Sequence, residues 1–512
     1  MKRILAVLGM AWVSLQVMGK QVDLLVLQTA DVHAHIGTGV TDDAGDWLHL
    51  ARPVQRLRDE HGEDRTLLID CGDTCQGSFL GTFTYGEIAL DMLRRLRYDV
   101  WIPGNHELDF GYERLLEMCT AEGVPTICGN LEIQGQAIPG VPAWRLFEKS
   151  GARIAVIGAT ASYFEQWFTS TALKDLRAIP AEALLARVLP TIEREKPDLV
   201  VLAIHQGWLE SDPRGVNEVQ AIAARFPEID LILGAHTHRV MAGRSIGPAT
   251  WYVQPGALGT HVAVIRVTVD TEKHRPINIT SELVAAEAHP DAALQRALGP
   301  ALAESLAAST AVVCTLKHGI ASKGRAGVSC QTSELMCRAL AAKTGASVVL
   351  HGRLSGYDLR ARTVREKDLF ALVPYENSIV LAELSQGELE TVVAEQLDNR
   401  KSYVFCGPWG ATFDIEETTR TGDALPPVHM GGDHPPDQRF LTAFNSYTAA
   451  GGGGRFPQLK AILSKPESRC RDTGLSSRDA VREYLAAHAA EETKAKRWIR
   501  GRLSSFDPPP HR

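Results

Sequence analysis

The sequence predicts an α/β protein built from two domains. Short apolar runs of strand type, Thr66 to Ile69 and Val100 to Ile102 among them, alternate with helix-type spans such as Trp47 to Glu60. Both apolar runs stop abruptly at polar residues, and open α/β sheets bind ligands at the carboxyl ends of their strands. A chain of 512 residues, 45% of them hydrophobic, is also longer than single cores usually become. We therefore expect two domains and a ligand site at a sheet edge.

Charge and hydropathy indicate which kinds of partner the protein binds. The formal net charge is -7, and Lys and Arg are scattered rather than arranged in a stripe, so we expect no nucleic-acid polymer as partner. A small-molecule substrate fits this composition better. No segment after residue 19 offers about 20 uninterrupted apolar residues, so we expect no transmembrane segment. The sequence carries no signal of the oligomeric state.

The first 19 residues have the pattern of a secretory signal peptide. Lys2 and Arg3 precede an apolar run from Ile4 to Val17, and small residues follow near a plausible cleavage point. The alternative interpretation is an apolar first strand. We expect a signal peptide at residues 1–19 and export to the periplasm or the extracellular space.

The cysteines fit an oxidising compartment without requiring one. The chain has nine cysteines, none of them in a CxxC pair, and an odd number leaves at least one unpaired within the chain. We interpret Cys71 and Cys75 as packing residues or a local disulfide, and Cys119 and Cys128 could close a small loop.

Three candidate metal ligands follow the first two predicted strands. Asp31 and His33 come after the apolar run Val22 to Leu27, and an alternating pleat would put both side chains on one side of the strand. Asp73 follows the next run. A carboxylate has two oxygens, so Asp73 can bridge two cations that lie about 3.5 to 4 Å apart.

The segment GNHELDFG supplies further candidates. The amide oxygen of Asn105 can bind a metal ion without adding negative charge. His106 and Asp109 are three residues apart, so they meet if this segment begins a helix. An Asp that holds a His in one tautomer is a recurrent catalytic arrangement. Glu107 is expected to point elsewhere and is not a candidate.

Histidines follow the later predicted strands. His205 follows the apolar run Leu199 to Ile204, and His236 and His238 follow Leu231 to Leu233, where an extended backbone would let both rings face inward. Together with the earlier residues they offer ligands for two divalent ions with positions open for water and substrate: Asp31, His33, Asp73, Asn105, His205, His236 and His238. Such mixed nitrogen and oxygen ligands suit Zn, Mn, Co or Fe about equally.

The order of these motifs, DxH, GDxxQG, GNHExD, H and GxHTH, resembles the calcineurin-like metallophosphoesterases, and specifically their 5'-nucleotidase and 2',3'-cyclic nucleotide phosphodiesterase branch. The match covers Val22 to about Arg266. The resemblance implies an N-terminal four-layer αββα sandwich and a smaller α/β C-terminal substrate-binding domain. It also implies that Asp31, His33 and His238 hold one ion, that Asn105, His205 and His236 hold the other, and that Asp73 bridges them.

The resemblance further implies how the chain is divided. We expect the dimetal phosphoesterase domain at residues 22–290, a connecting helix at 291–312 and the substrate-binding domain at 313–500. The Ala-rich stretch from Asp291 to Ala308 is rich in helix-forming residues despite Pro300 near its middle.

Candidate substrate-binding residues lie in the second domain. Phe405 and Tyr447 fall where family members place two rings that sandwich the base, and Asn445 and Arg353 complete the set. The alternative interpretation is that Phe405 and Tyr447 are two aromatic residues of the hydrophobic core.

Two departures from the family pattern lie in this domain. The usual arginine position of the turn His351 to Ser355 holds Ser355, so Arg353 is displaced by two residues. Gly453 stands where 5'-nucleotidases commonly carry an Asp, and this all-glycine form looks more like the 2',3'-cyclic nucleotide phosphodiesterases.

The resemblance implies a metal-dependent phosphoester hydrolase that acts on nucleotides, either 5'-monophosphates or 2',3'-cyclic esters, with His106 held by Asp109 as catalytic pair. An alternative is hydrolysis of a non-nucleotide substrate, as in the related sulfur-oxidation thiosulfohydrolases, which the altered turn at His351 to Ser355 motivates. A catalytically silent binding protein is disfavoured because every metal ligand and the His106–Asp109 pair is present.

Overall fold

The computed structural model describes residues 20–41, 44–212, 215–324, 326, 329–398, 406, 408–414, 428–435, 437–494 and 499–500. The predicted signal peptide, residues 1–19, and the candidate substrate-binding residue Phe405 lie outside the described residues. Among the described helices, none is both long and apolar enough to cross a membrane.

Two mixed β-sheets form the centre of the N-terminal part. The described strands of the first sheet run, from edge to edge, in the order Arg275–Ala285, His261–Asp270, Gln21–Thr29, Thr66–Asp70 and Val100–Trp101. Those of the second sheet run in the order Val240–Ile246, Thr250–Pro255, Leu231–Leu233, Leu199–Ile204, Ala152–Ala159 and Trp144–Lys149. The last three strands of the first sheet are parallel to one another, so their carboxyl ends meet at one edge.

Helices cover the outer face of each sheet, which gives the predicted four-layer αββα sandwich. Buried residues of both sheets, Val26, Ile69, Val156, Val201 and Val253 among them, form the core between the sheets. The outer face of the first sheet is covered by helices Trp47–His61, Glu87–Arg95 and Tyr112–Cys119. The outer face of the second sheet is covered by helices Ala181–Ile192 and Val219–Arg225.

Shorter elements connect these layers. The described short helices and 3-10 turns of this part are Glu63–Arg65, Phe79–Phe83, His106–Phe110, Phe164–Gln166, Ser170–Leu173 and Glu193–Glu195. A small sheet, in the order Gln136–Ala137, Leu131–Ile133 and Leu176–Ala178, lies beside them.

A helix occupies the predicted connector. It runs from Ala292 to Ser309, and the Asp291 side chain caps its amino end by accepting hydrogen bonds from the backbone N–H groups of Ala293 and Leu294. Leu294 and Leu298 pack into the core that lies over the first sheet. The helix predicted over this stretch is therefore confirmed, whereas the boundaries proposed for the two domains stay a prediction.

The C-terminal part is a second α/β unit with its own core. Its sheet runs in the order Val348–Leu350, Arg439–Asn445, Ser378–Ser385 and Arg471–Ser476. Strands Val312–Thr315 and Thr363–Arg365 form a separate pair, and Val428–Met430, Ala411–Asp414 and Ile499–Arg500 form another small sheet. The described helices are Gln331–Thr344, Glu366–Leu372, Gln386–Asp398, Ser446–Ala449, Pro457–Leu463 and Ser477–His488, with a 3-10 turn at Pro466–Ser468.

Candidate metal centre

The first group of candidate ligands lies where the first strand of the N-terminal sheet ends. Ligand atoms of Asp31, His33 and His238 lie within 4.8 Å of one another. The Nε2 atoms of His33 and His238 are 3.0 Å apart, and His238 Nε2 is 3.6 Å from Asp31 Oδ1. Asp31 and His33 are buried, while His238 reaches in from an exposed position.

The second group lies beside the first. Ligand atoms of Asp73, His205 and His236 also lie within 4.8 Å of one another. His205 Nε2 is 3.0 Å from Asp73 Oδ2 and 3.2 Å from Asn105 Oδ1. The structure thus brings the amide of Asn105 to the second group.

Asp73 lies between the two groups. Its Oδ2 atom is 3.0 Å from His205 Nε2 in the second group and 4.0 Å from His33 Nε2 in the first. Its other oxygen, Oδ1, accepts a hydrogen bond of 2.8 Å from the backbone N–H of His106. This is the position that a carboxylate shared by two ions requires.

The donor set fits metal ions. Nδ1 of His33 donates to the carbonyl oxygen of Gln76 at 2.8 Å, and Nδ1 of His205 donates to that of Cys71 at 2.7 Å. When either ring is neutral, the lone pair of its Nε2 therefore faces the other ligand atoms, an arrangement that a cation between them would stabilise. A backbone carbonyl that fixes the tautomer of a ligating histidine is the usual outer-shell arrangement in metal sites.

The electrostatics of the second group also favour a cation. Burial lowers the pKa of His205, but the Asp73 carboxylate outweighs it and raises that pKa to about 9. In turn, burial raises the pKa of Asp73, but His205 and His106 hold it well below its usual range. Asp73 is thus a carboxylate at neutral pH, ready to share its charge with positive neighbours.

A histidine–aspartate pair lies next to the two groups. His106 Nδ1 is 2.8 Å from Asp109 Oδ2, because the segment His106–Phe110 forms a 3-10 turn that puts residues three apart on one face. Burial lowers the pKa of His106, but Asp109 and Asp73 outweigh it and raise the pKa to about 10. The ring therefore carries a proton at neutral pH.

The backbone that carries the ligands differs from the pleat and extended conformations that we expected. Asp31 and His33 both have φ 52, and His236 and His238 have φ 69 and 55. These are left-handed loop conformations, in which the chain turns sharply after the strand has ended. The ligands converge because of these turns, and our interpretation of a shared strand face was wrong for all four residues.

Glu107, which we had set aside, organises the loops around Asp73. Its carboxylate is fully buried and accepts hydrogen bonds from the backbone N–H groups of Asp73 (3.1 Å), Thr74 (2.8 Å), Cys75 (2.8 Å) and Gly104 (2.6 Å). It thereby joins the loop that carries Asp73 to the loop that carries Asn105. Sequence reasoning missed it because its partners are backbone groups that no motif displays.

The cysteines are all among the described residues, and none of them forms a disulfide. The local disulfide that we considered for Cys71 and Cys75 and the loop closed by Cys119 and Cys128 are both wrong. All four thiols are buried, and burial raises the pKa of each. They are packing residues.

A cavity of about 730 Å³ lies between the two domains and reaches this site. Its wall includes Asn105, His106 and His236 from the N-terminal part and Arg353, Asn445 and Tyr447 from the C-terminal part. The side chain of Gln76 donates to the backbone oxygen of Pro374 at 3.1 Å, so the two parts touch beside the cavity.

Two candidate substrate-binding side chains that line the cavity are hydrogen-bonded to other groups of the same chain. Arg353 Nη1 donates to the backbone oxygen of Ser322 at 2.7 Å. Asn445 Oδ1 accepts from the N–H of Thr448 at 2.7 Å, and its amide nitrogen lies 3.5 Å from His351 Nε2. These contacts fix the orientation of both residues.

Trp167 is a wall residue that sequence reasoning missed. Its ring lies 5.1 Å from that of His236 and 4.6 Å from that of Tyr163. No ring nitrogen of His236 is hydrogen-bonded to a described residue, so ring packing orients this candidate ligand. A single aromatic residue at the end of the 3-10 turn Phe164–Gln166 carries no motif that could have indicated this contact.

Comparisons with known proteins agree with this geometry. Residues 24–240 match the family model of calcineurin-like phosphoesterases, and residues 309–461 match that of the 5'-nucleotidase C-terminal domain. Protein UshA of Yersinia enterocolitica is 23% identical over 519 residues, which cover 92% of each chain. Other curated relatives are matched over a smaller share, and the chain spans 52%, 40% and 39% of the length of three of them.

Solved structures share the fold. The 5'-nucleotidase precursor of Thermus thermophilus superposes with a TM-score of 0.68 at 19% identity and covers 93% of this chain and 99% of its own. The SoxB sulfate thiohydrolase of Thermus thermophilus superposes with a TM-score of 0.62 at 18% identity. The match covers 93% of this chain and 96% of that one. At these identities the similarity shows the architecture alone.

Fold, site and family model together define residues 24–240 as a calcineurin-like phosphoesterase domain. The second family model extends this assignment. With this domain and a 5'-nucleotidase C-terminal domain at residues 309–461, the chain has the two-domain composition of the 5'-nucleotidase branch of this family.

Proposed function

We propose that the protein is an exported dimetal phosphohydrolase that hydrolyses phosphoesters of nucleotides, either 5'-monophosphates or 2',3'-cyclic nucleotides. The observation that carries this proposal is the position of Asp73 between two groups of ligand atoms, 3.0 Å from His205 and 4.0 Å from His33. This arrangement borders a cavity that the 5'-nucleotidase-type domain closes from the other side.

The proposed ligand sets follow the two groups. Asp31, His33 and His238 would hold one ion, Asn105, His205 and His236 would hold the other, and Asp73 would serve both. Two divalent ions, of Zn, Mn, Co or Fe, supply an activated water and neutralise the phosphoryl oxygens when they are bound. The protein holds these side chains in place with backbone contacts, chiefly those of Glu107, Gln76 and Cys71.

His106 and Asp109 are the proposed catalytic pair. Asp109 holds Nδ1 of His106 at 2.8 Å, which leaves Nε2 to carry a proton toward the leaving oxygen of the substrate. His106 is about a quarter exposed and lines the cavity, so a substrate can reach it. A raised pKa keeps the ring charged at neutral pH, so it also stabilises negative charge that develops on the phosphoryl group.

The C-terminal domain is the proposed substrate-binding domain. Tyr447 lines the cavity and offers a ring on which a base can stack, with Phe405 as the proposed second ring. Asn445 and Arg353 line the same wall, and their partners fix them in orientation. We propose the domain limits 22–290, 291–312 and 313–500, and a signal peptide at residues 1–19.

An activity assay tests this proposal. The purified, metal-reconstituted protein is offered AMP, UMP and 2',3'-cyclic AMP, and released phosphate or opened ring is measured. Asp73→Asn should lower activity by at least about 10²-fold, while Asp59→Asn, an exposed aspartate on helix Trp47–His61, should leave it unchanged. If the wild type hydrolyses none of the three esters, the nucleotide proposal is wrong.

One observation favours a second candidate, a non-nucleotide substrate. The turn His351 to Ser355 offers no cation at position 355, where Ser355 Oγ instead donates to the backbone oxygen of Leu372 at 3.3 Å. Arg353 of the same turn is held by Ser322. Hydrolysis of a protein-linked or small-molecule thiosulfonate, without hydrolysis of any nucleotide, would support this candidate.

A further inference from the structure

Tyr375 brings a ring of the C-terminal part against His106. The centroids of the two rings are 6.4 Å apart, and the ring planes make an angle of 20°. Aromatic rings in an offset, nearly parallel arrangement attract each other at centroid distances of about 4.5 to 7 Å. Tyr375 is 42% exposed and lines the same cavity as His106. The second domain therefore places an aromatic residue beside the proposed catalytic pair of the first.

The imidazole of His106 has two further neighbours. Asp109 Oδ2 is 2.8 Å from its Nδ1, and the ring of His33 lies 5.4 Å away in an edge-to-face arrangement. Among the described residues, none is hydrogen-bonded to Nε2 of His106. Asp109, His33 and Tyr375 thus contact the imidazole and leave Nε2 to a group that occupies the cavity.

Both chain neighbours of Tyr375 are bonded to the N-terminal part. The side chain of Gln76 donates to the backbone oxygen of Pro374 at 3.1 Å, and Thr82 Oγ1 donates to Glu376 Oε1 at 3.0 Å. These two hydrogen bonds cross the boundary between the domains on either side of Tyr375. They fix the distance between its backbone and the loop that carries His106.

Arg478 fixes the same segment from within the C-terminal part. Its buried guanidinium donates to both carboxylate oxygens of Glu376, at 2.7 and 3.0 Å, and its Nε donates to the backbone oxygen of Val373 at 2.8 Å. A pair of parallel hydrogen bonds between a guanidinium and a carboxylate permits one relative orientation of the two groups. The backbone around Tyr375 therefore has a defined position, and so does the ring that it carries.

We propose that Tyr375 is a positioning residue for His106: its ring holds the imidazole so that Nε2 meets the leaving oxygen of the substrate. The inference rests on the proposed function and adds a residue of the second domain to it. In the step concerned, a water oxygen bonds to phosphorus and the bond from phosphorus to the leaving oxygen breaks. The Nε2 proton of His106 goes to the leaving oxygen, and a proton of the attacking water restores the ring.

A comparison of leaving groups tests this role. We would measure kcat and KM of the metal-reconstituted protein for AMP and 4-nitrophenyl phosphate, or for 2',3'-cyclic AMP and bis(4-nitrophenyl) phosphate if the cyclic ester is the substrate. A ribose oxygen needs a proton to leave, whereas nitrophenolate leaves without one. Tyr375→Leu should therefore lower kcat for the nucleotide by about 10- to 100-fold, while KM and the kcat for the nitrophenyl ester stay within about threefold of wild type.

Two variants separate the ring from other effects. Tyr375→Phe keeps the ring and should retain kcat for the nucleotide within about threefold of wild type. Tyr484→Leu is the matched control, because Tyr484 stacks on His488 in the same domain, with centroids 4.2 Å apart and planes at 17°, but does not line the cavity. Its loss should leave kcat for both esters unchanged.

Thr82→Val tests the attachment of the segment, since it removes the hydrogen bond to Glu376 across the domain boundary. Alone it should lower kcat for the nucleotide by a smaller factor than Tyr375→Leu does. Combined with Tyr375→Leu it should add no further loss, because both changes act through the same ring.

Three results would overturn the inference while leaving the proposed function intact: nucleotide hydrolysis by Tyr375→Leu at the wild-type rate, an equal loss of kcat on both esters, or a rise in KM without a fall in kcat. A Tyr375→Phe variant as slow as Tyr375→Leu would also overturn it, because the hydroxyl rather than the ring would then act. If the wild type hydrolyses no nucleotide, the proposed function is wrong and the inference falls with it.

Discussion

Replacing Glu107 by Gln should destabilise the N-terminal part severely, although it changes one atom and no volume. Each oxygen of the Glu107 carboxylate accepts two backbone hydrogen bonds: Oε2 from Asp73 and Gly104, and Oε1 from Thr74 and Cys75. In either orientation of its side-chain amide, a glutamine would place its NH₂ group against one of these two pairs of backbone N–H groups. Two buried N–H groups then lose their acceptor and face another donor.

The expected cost follows from these contacts. Hydrogen bonds to charged groups contribute about 1.5 to 3 kcal/mol each, so the loss of two costs about 3 to 6 kcal/mol. With a urea m-value of about 3 kcal/mol/M, the midpoint of the first unfolding transition should fall by about 1 M or more. Because the same loops carry Asp73 and Asn105, metal affinity should fall by about 10- to 100-fold.

Urea unfolding of the metal-free protein, followed by tryptophan fluorescence, measures the first effect, and titration with Mn²⁺ measures the second. Glu122→Gln is the control, since the Glu122 side chain is exposed and its variant should stay within about 0.5 kcal/mol of wild type. An unfolding midpoint of Glu107→Gln equal to that of wild type would refute the reasoning.

Three further outcomes are expected. Asp109→Asn should lower kcat by about 10²-fold with little change in KM, because His106 loses the carboxylate that holds its tautomer; steady-state kinetics of the metal-loaded protein checks this. Burial raises the pKa of Asp230 to about 6, above its ordinary value of 3.8, so stability present below about pH 4 is lost as the pH rises through 6. Between pH 4.5 and 7.5 this pH dependence amounts to about 2 kcal/mol, and Asp230→Asn should remove it; urea midpoints at these two pH values would show the loss, and an unchanged pH dependence would refute it. Denatured without reductant, each chain should react with nine equivalents of a thiol reagent, and fewer would mean that disulfides form.

The main architecture could be predicted from the spacing of apolar residues along the sequence. Runs such as Thr66 to Ile69 and Leu199 to Ile204 are buried on both faces, and the structure has strands at Thr66–Asp70 and Leu199–Ile204. Polar residues at the ends of these runs indicated the sheet edge where Asp73 and His205 lie 3.0 Å apart. What periodicity could not give was the antiparallel pairing of Gln21–Thr29 with His261–Asp270, because that contact joins residues some 240 positions apart.

The details of the site could not be predicted from the pattern of residue types in the sequence. The positive φ of Asp31 and His236 arises from loops that turn after the strands end, and non-glycine residues give little sequence signal for that conformation. Glu107 acts through backbone N–H groups, and Trp167 acts through packing on His236. Both depend on tertiary contacts that no local motif encodes.

The metal content of the purified protein tests the central proposal most directly. After reconstitution with Mn²⁺ and removal of free metal, elemental analysis of the wild type should give two ions per chain. Asp73→Asn, which removes the carboxylate that both groups share, should retain one ion at most. A wild type that binds fewer than two ions, or an Asp73→Asn variant that still binds two, would contradict the account.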